Sequence, residues 1–86
     1  MSQSSEIGKL KIEQEDLDRE ALSLNKVLSS MEELYSQLVR ISIDRNDLQM
    51  FVDLKTKIYN RRDNIINSYH KITRRIRQLA RKAKKT

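Results

Sequence analysis

The chain has 86 residues, 37% hydrophobic and 35% charged, with a net charge of +6, no cysteine, no proline and one glycine. A chain this short supports one domain at most and is only marginally stable alone. Without cysteine, neither disulfides nor a thiolate metal site can reinforce its core. Charges every few positions in the first twenty residues exclude a secretory signal, and no apolar run approaches the roughly 18 residues of a membrane span, so the sequence reads as soluble and intracellular, in nucleus or cytoplasm.

Composition favours long helices over sheets or loops. The first predicted helix covers about 5–42. Its Leu10, Leu17, Leu24, Met31 and Leu38 recur every seven residues, and Val27, Leu34 and Ile41 stand three further on, as in a heptad seam. Ala21, Leu28 and Tyr35 widen the stripe by one column. Ser2, Ser4 and Ser5 are candidate caps for its start. Glu13, Glu15, Asp16, Asp18 and Glu20 spread around the helix rather than converging, which reads as a solvated acidic face and not a metal site.

A turn is expected at about 43–47, the alternative being one continuous helix in a parallel dimer. Counting in sevens from Leu38 leads to Arg45 and Val52, whereas the next seam runs through Phe51, so the phase slips by one residue. Asp44, Asn46 and Asp47 suit a turn, with Asp47 or Ser42 as the cap of the second helix, although neither Gly nor Pro marks the reversal.

The second predicted helix covers about 47–81, followed by a basic tail at about 81–86. Phe51, Ile58, Ile65, Ile72 and Leu79 form its seam, flanked by Leu48, Tyr69, Ile76 and Ala83 on one side and Val52, Tyr59, Ile66 and Ala80 on the other. Folding the chain between Asp44 and Arg45 sets Leu10 against Leu79, Leu17 against Ile72, Leu24 against Ile65, Met31 against Ile58 and Leu38 against Phe51. The same fold places Leu34 against Lys55 and Val27 against Arg62, a mixed second seam in which the cations lay their methylenes over apolar neighbours.

The expected fold is therefore all-α: two long helices in an antiparallel, coiled-coil-like hairpin, about 50 to 55 Å long. One full seam is thin for a stable monomer, so the hairpin is expected to belong to a larger helical bundle or oligomer. Leu10, Leu17, Leu24, Leu28, Met31, Tyr35, Leu38, Phe51, Val52, Ile58, Tyr59, Ile65, Ile66, Ile72 and Leu79 are the candidate partner-interface residues.

Charge is strongly polarised. Residues 1–47 carry six basic and ten acidic side chains, net −4, and residues 48–86 carry twelve basic against Asp53 and Asp63, net +10. A hairpin lays Glu13 to Glu20 beside Lys71, Arg74, Arg75 and Arg77, which predicts cross-helix ion pairs that fix register more than stability. Arg74, Arg75, Arg77, Arg81, Lys82, Lys84 and Lys85 form a candidate polyanion-binding end, since clustered cations bind phosphate chains through counterion release. A membrane surface is disfavoured, because Trp is absent, Phe51 is the only Phe, and the apolar face is already used by the seam.

Catalysis has no obvious seat. His70 is the only histidine, Gly8 cannot form a phosphate-cradling loop alone, and no serine has a His and acid arrangement at helical spacing. No catalytic residue, metal, cofactor or small-molecule substrate is expected. The sequence points to a non-enzymatic assembly subunit, joined to itself or to other helical proteins through the seams, with the basic end as a secondary contact to an anionic partner. The alternative is a small nucleic-acid-binding protein in which that end is primary.

Overall fold

The computed structural model describes residues 2–85, with side chains for residues 5–84. Two α-helices, α1 (Ser2–Arg40) and α2 (Arg45–Lys85), account for nearly all of it, and no strand is present among the described residues. They pack antiparallel into a hairpin with principal extents of 65 × 15 × 14 Å. Each helix of about 40 residues spans about 60 Å at 1.5 Å per residue, so the hairpin is longer than expected because both helices run further toward the chain ends. Residues 81–85 continue α2 and are not a tail, and Thr86 lies outside the described residues. Residues 2–5 are likewise helical, while the side chains of Ser2 and Ser4 lie outside those described.

The reversal lies at 41–44, two to three residues earlier than the spacing suggested. Ser42 adopts φ 56°. Its N–H donates to the Val39 carbonyl at 3.2 Å, and the Ile43 N–H donates to the Leu38 carbonyl at 3.3 Å. This pair of bonds is a Schellman cap, which ends helices on a left-handed residue that is usually Gly. Serine occupies that place here, so Ser42 terminates α1 and does not cap α2. Asp44 precedes α2, and its carbonyl accepts from the Leu48 N–H at 3.0 Å, the position of an N-cap residue. Asp47 sits inside the first turn, where its charge complements the helix macrodipole.

The seam differs from the expected one in a single respect. In α1 the inward residues are Leu10, Leu17, Leu24, Met31 and Leu38 together with Ile7, Gln14, Ala21, Leu28 and Tyr35, all buried or half-buried. Val27, Leu34 and Ile41, expected as the second seam column, are 45%, 44% and 71% exposed. The cause lies further up the same column, which carries Glu6, Glu13 and Glu20 at the same heptad position. A straight helix rotates as one body, so turning the aliphatics inward would also turn three carboxylates inward. Burying an ionised carboxylate costs several kcal/mol, whereas leaving an aliphatic half exposed forfeits about 1 kcal/mol. The carboxylates win, and the column that contains Leu28 and Tyr35 closes the seam.

In α2 the stripe is three columns wide. Leu48, Lys55, Arg62, Tyr69 and Ile76 run along its centre, with Phe51, Ile58, Ile65, Ile72 and Leu79 on one side and Val52, Tyr59, Ile66, Thr73 and Ala80 on the other, all buried or half-buried. Deep burial is nonetheless rare. Among the described residues only Leu28, Met31, Ile65 and Leu79 are buried, at 3% to 9% exposure.

Register follows from the earlier turn. Tyr35, and not Leu38 alone, meets Phe51, with ring centroids 6.5 Å apart and the planes 23° from parallel. Lys55 reaches Glu32 at 3.1 Å and Arg62 reaches Asn25 at 3.2 Å, each two residues before the expected Leu34 and Val27. Gln14 donates from its side-chain amide to the Thr73 hydroxyl, which in turn donates to the Tyr69 carbonyl at 3.0 Å, so the one amide inside the α1 seam is satisfied across the pair.

Candidate interaction surfaces

Three surfaces emerge from the hairpin: the two flanks of the seam and the outward face of α2. On the first flank lies the column Glu6, Glu13, Glu20, Val27, Leu34, with the column Leu54, Arg61, Ser68, Arg75 opposite it on α2. Two ion pairs tie these columns over the open half of the hairpin, Arg75 Nη2 to Glu6 Oε1 at 3.3 Å and Arg61 Nη2 to Glu20 Oε1 at 2.8 Å. Toward the turn both columns become aliphatic. Val27 and Leu34 face out from α1 and Leu54, 52% exposed, from α2, with Met50 one turn earlier at 70% and Ile41 at the turn. An open groove of about 320 Å³ runs here, lined by Lys26, Val27, Ser30, Met31 and Leu34.

The second flank is polar and aromatic. The Tyr59 hydroxyl donates to Glu32 Oε1 at 2.8 Å, Lys55 Nζ lies 3.1 Å from the same oxygen, and Lys55 Nζ also stands 5.0 Å from the centre of the Tyr35 ring. The hydrogen bond from Tyr59, then that from Lys55, holds the Glu32 carboxyl below the usual carboxylate range. The reciprocal effect raises the Tyr59 hydroxyl, first through its bond to Glu32 and then through burial. Arg62 closes the group, its guanidinium 5.0 Å from the Tyr59 ring, while its Nε is shut off from water with no acceptor. Lys55 and Arg62 occupy seam positions, so two cations sit where a simple coiled coil would carry aliphatics.

The fifteen residues singled out as a partner interface are all buried or half-buried, and the hairpin's own seam uses them. Val52, Tyr59 and Ile66 form the outer edge of that stripe. Val27, Leu34 and Ile41, whose spacing suggested the interior, are among the large aliphatics left open, together with Ile12, Leu22, Val39, Met50 and Leu54. The ion pairs expected between Glu13 to Glu20 and Lys71 to Arg77 are also arranged differently: Glu20 pairs with Arg61, Arg75 with Glu6, and Asp16 with Arg19 of its own helix at 2.9 Å.

Of the candidate polyanion-binding residues, Arg74, Arg77, Arg81, Lys82 and Lys84 are exposed and Arg75 is engaged by Glu6, while the side chain of Lys85 lies outside those described. Arg74, Arg77, Gln78 and Arg81 share one face and line a depression of about 200 Å³. His70 is exposed, its ring edge-on to Tyr69 at 6.0 Å. Among the described residues no three of the carboxylates and His70 gather as a metal would require, and no helix is long and apolar enough to cross a membrane. Comparison of the chain with family models, with curated proteins and with solved structures finds no match.

Proposed function

We propose that the protein is a non-enzymatic helical assembly subunit, joined to a second copy or to another helical protein, with its basic end supplying a secondary contact to an anionic partner. The observation that carries this reading is the aliphatic half of the first flank, where Val27, Leu34, Ile41, Met50 and Leu54 stay between 44% and 71% exposed. Covering the open part of such a side chain is worth about 1 kcal/mol, half of full burial, so five of them amount to about 5 kcal/mol. That compares with a stability of about 4 to 13 kcal/mol for a chain of this size. Period-seven aliphatics beside a groove are suited to another amphipathic helix, because its own apolar stripe repeats at the same interval.

Sedimentation of the purified chain over a range of concentrations tests the reading. Assembly predicts mass and melting temperature that rise with concentration, and a Val27→Glu/Leu34→Glu variant that stays monomeric. A wild-type monomer that melts sharply and independently of concentration would count against it.

A further inference from the structure

The basic end of α2 divides by face, which its sequence alone did not show. Arg75 turns toward α1 and is held by Glu6. Arg74, Arg77 and Arg81 point the other way, and no described carboxylate lies within ion-pairing distance of any of them. They are spaced three and four residues apart with Gln78 between them around one depression, and Lys71 and Lys84 extend the same face to either side. From residue 60 onward this face carries no apolar side chain: its remaining positions are asparagines, Asp63 and His70, all exposed.

We propose that this face binds the phosphate backbone of a nucleic acid, with Arg74, Arg77 and Arg81 on the phosphate oxygens and Lys71 and Lys84 adding charge at the ends. The proposal rests on the reading of the basic end as an anion-contact surface and commits it to one partner. Three arguments select that partner. The three arginines extend over about 10 Å of helix, and a nucleic-acid strand offers a phosphate for each roughly 3.4 Å of axis, so one rigid face meets several anions together. Guanidinium forks match phosphate oxygens in bidentate fashion, and the interleaved Gln78 and asparagines are side chains that serve sugar and phosphate contacts. A lipid surface is the poorer fit, because a membrane-bound helix needs an apolar face to sink below the headgroups and this face has none. Since α2 is helical through Lys85, the cations are displayed on a fixed scaffold and binding does not have to order a loose tail.

The test is binding of the full chain to short random-sequence duplexes of DNA and of RNA, read by fluorescence anisotropy across a salt series. Binding of either duplex supports the proposal, and the two arms show which polymer is preferred. The logarithm of affinity should fall against that of salt by about 0.9 for each phosphate neutralised. Arg74→Gln/Arg77→Gln/Arg81→Gln should flatten that slope by about 2.7, while Arg75→Gln, whose guanidinium is already paired, should change it by less than about 1. Far-ultraviolet dichroism establishes that both variants remain helical. Absence of binding to either duplex at low salt overturns the proposal, as does an Arg75→Gln effect equal to that of the triple variant. Anionic phosphatidylserine vesicles and polyglutamate complete the set: if either is bound as well as the duplexes, the nucleic-acid assignment fails and the broader anion-contact reading survives. Silence in every arm removes both, and leaves the assembly role to be judged by sedimentation.

Discussion

Leu28 and Leu34 flank the same central column of α1, and replacing each with alanine measures the rotation of that helix. Leu28 is 3% exposed and Leu34 is 44% exposed. Truncating a fully buried leucine costs about 2 to 5 kcal/mol, transfer and cavity together, so Leu28→Ala should remove about 3 kcal/mol. At Leu34 only about half the side chain is withdrawn from water and no enclosed cavity is left, so the loss should be about 1 kcal/mol. With a melting shift of about 4 to 8 °C per kcal/mol for a domain of this size, the variants should separate by about 8 to 16 °C. Urea and thermal unfolding followed by helical dichroism, at several protein concentrations, provide the assay. Leu28→Ala should lower stability by the same amount at every concentration, whereas Leu34→Ala should also lose a part that grows with concentration. Equal losses, or the reverse order, would mean that α1 closes on its other column and that the rotation argument from Glu6, Glu13 and Glu20 is wrong.

The turn and the second flank carry further expectations. Ser42→Gly should stabilise by about 0.5 to 1 kcal/mol, because a left-handed residue costs about 1 to 2 kcal/mol and glycine returns part of that to unfolded-chain entropy; Ser42→Val should destabilise, and a stable valine variant would rule out the cap. Because the folded state lowers the Glu32 carboxyl, its contribution is present above the ordinary carboxylate value of about 4.3 and is lost as pH falls through the lower folded value. Because it raises the Tyr59 hydroxyl, that contribution is present below about 10 and is lost as pH rises through the higher folded value. Glu32→Gln should therefore flatten the stability profile at both ends, and superimposable profiles would show that the clasp contributes nothing. Arg62→Met should cost less than about 1 kcal/mol or stabilise, since it removes a buried donor without an acceptor and fills a seam position with an apolar chain; a loss above about 2 kcal/mol would show that the Asn25 bond and the Tyr59 stack outweigh that gain.

Much of this architecture could be read from spacing. Two seven-residue series with a phase slip between them pointed to the helices, their antiparallel pairing and the neighbourhood of the turn. The position of the turn was not legible, because helix ends are ordinarily marked by glycine and the left-handed place is taken by Ser42, a residue that reads equally well as a cap. Moving the reversal earlier displaced the register by two to three residues, which is why Tyr35 and not Leu38 alone faces Phe51. The choice of second column in α1 was legible in principle. Val27, Leu34 and Ile41 are the more aliphatic set, but tracing their column back to Glu6, Glu13 and Glu20 shows that it cannot turn inward as a whole. The clasp of Glu32, Lys55 and Tyr59 and the division of the arginines by face depend on register and rotation together, and neither is fixed by composition. For the candidate surfaces the consequence is substantial: the residues expected to meet a partner mostly meet each other, and Val27, Leu34 and Ile41, expected inside, are among the aliphatics left open.

On the proposed reading, closing the hairpin leaves the turn-proximal half of one flank for another molecule to cover. Since the chain has no cysteine, a single nitroxide placed at Ser30, an exposed residue on the groove with Val27, Met31 and Leu34, reports on that flank directly, and one at Asn67 on the outward face of α2 serves as reference. Association should broaden the Ser30 spectrum as protein concentration rises while that of Asn67 stays sharp. A Ser30 label that remains as mobile as the reference in a folded, sharply melting chain at every concentration would contradict it.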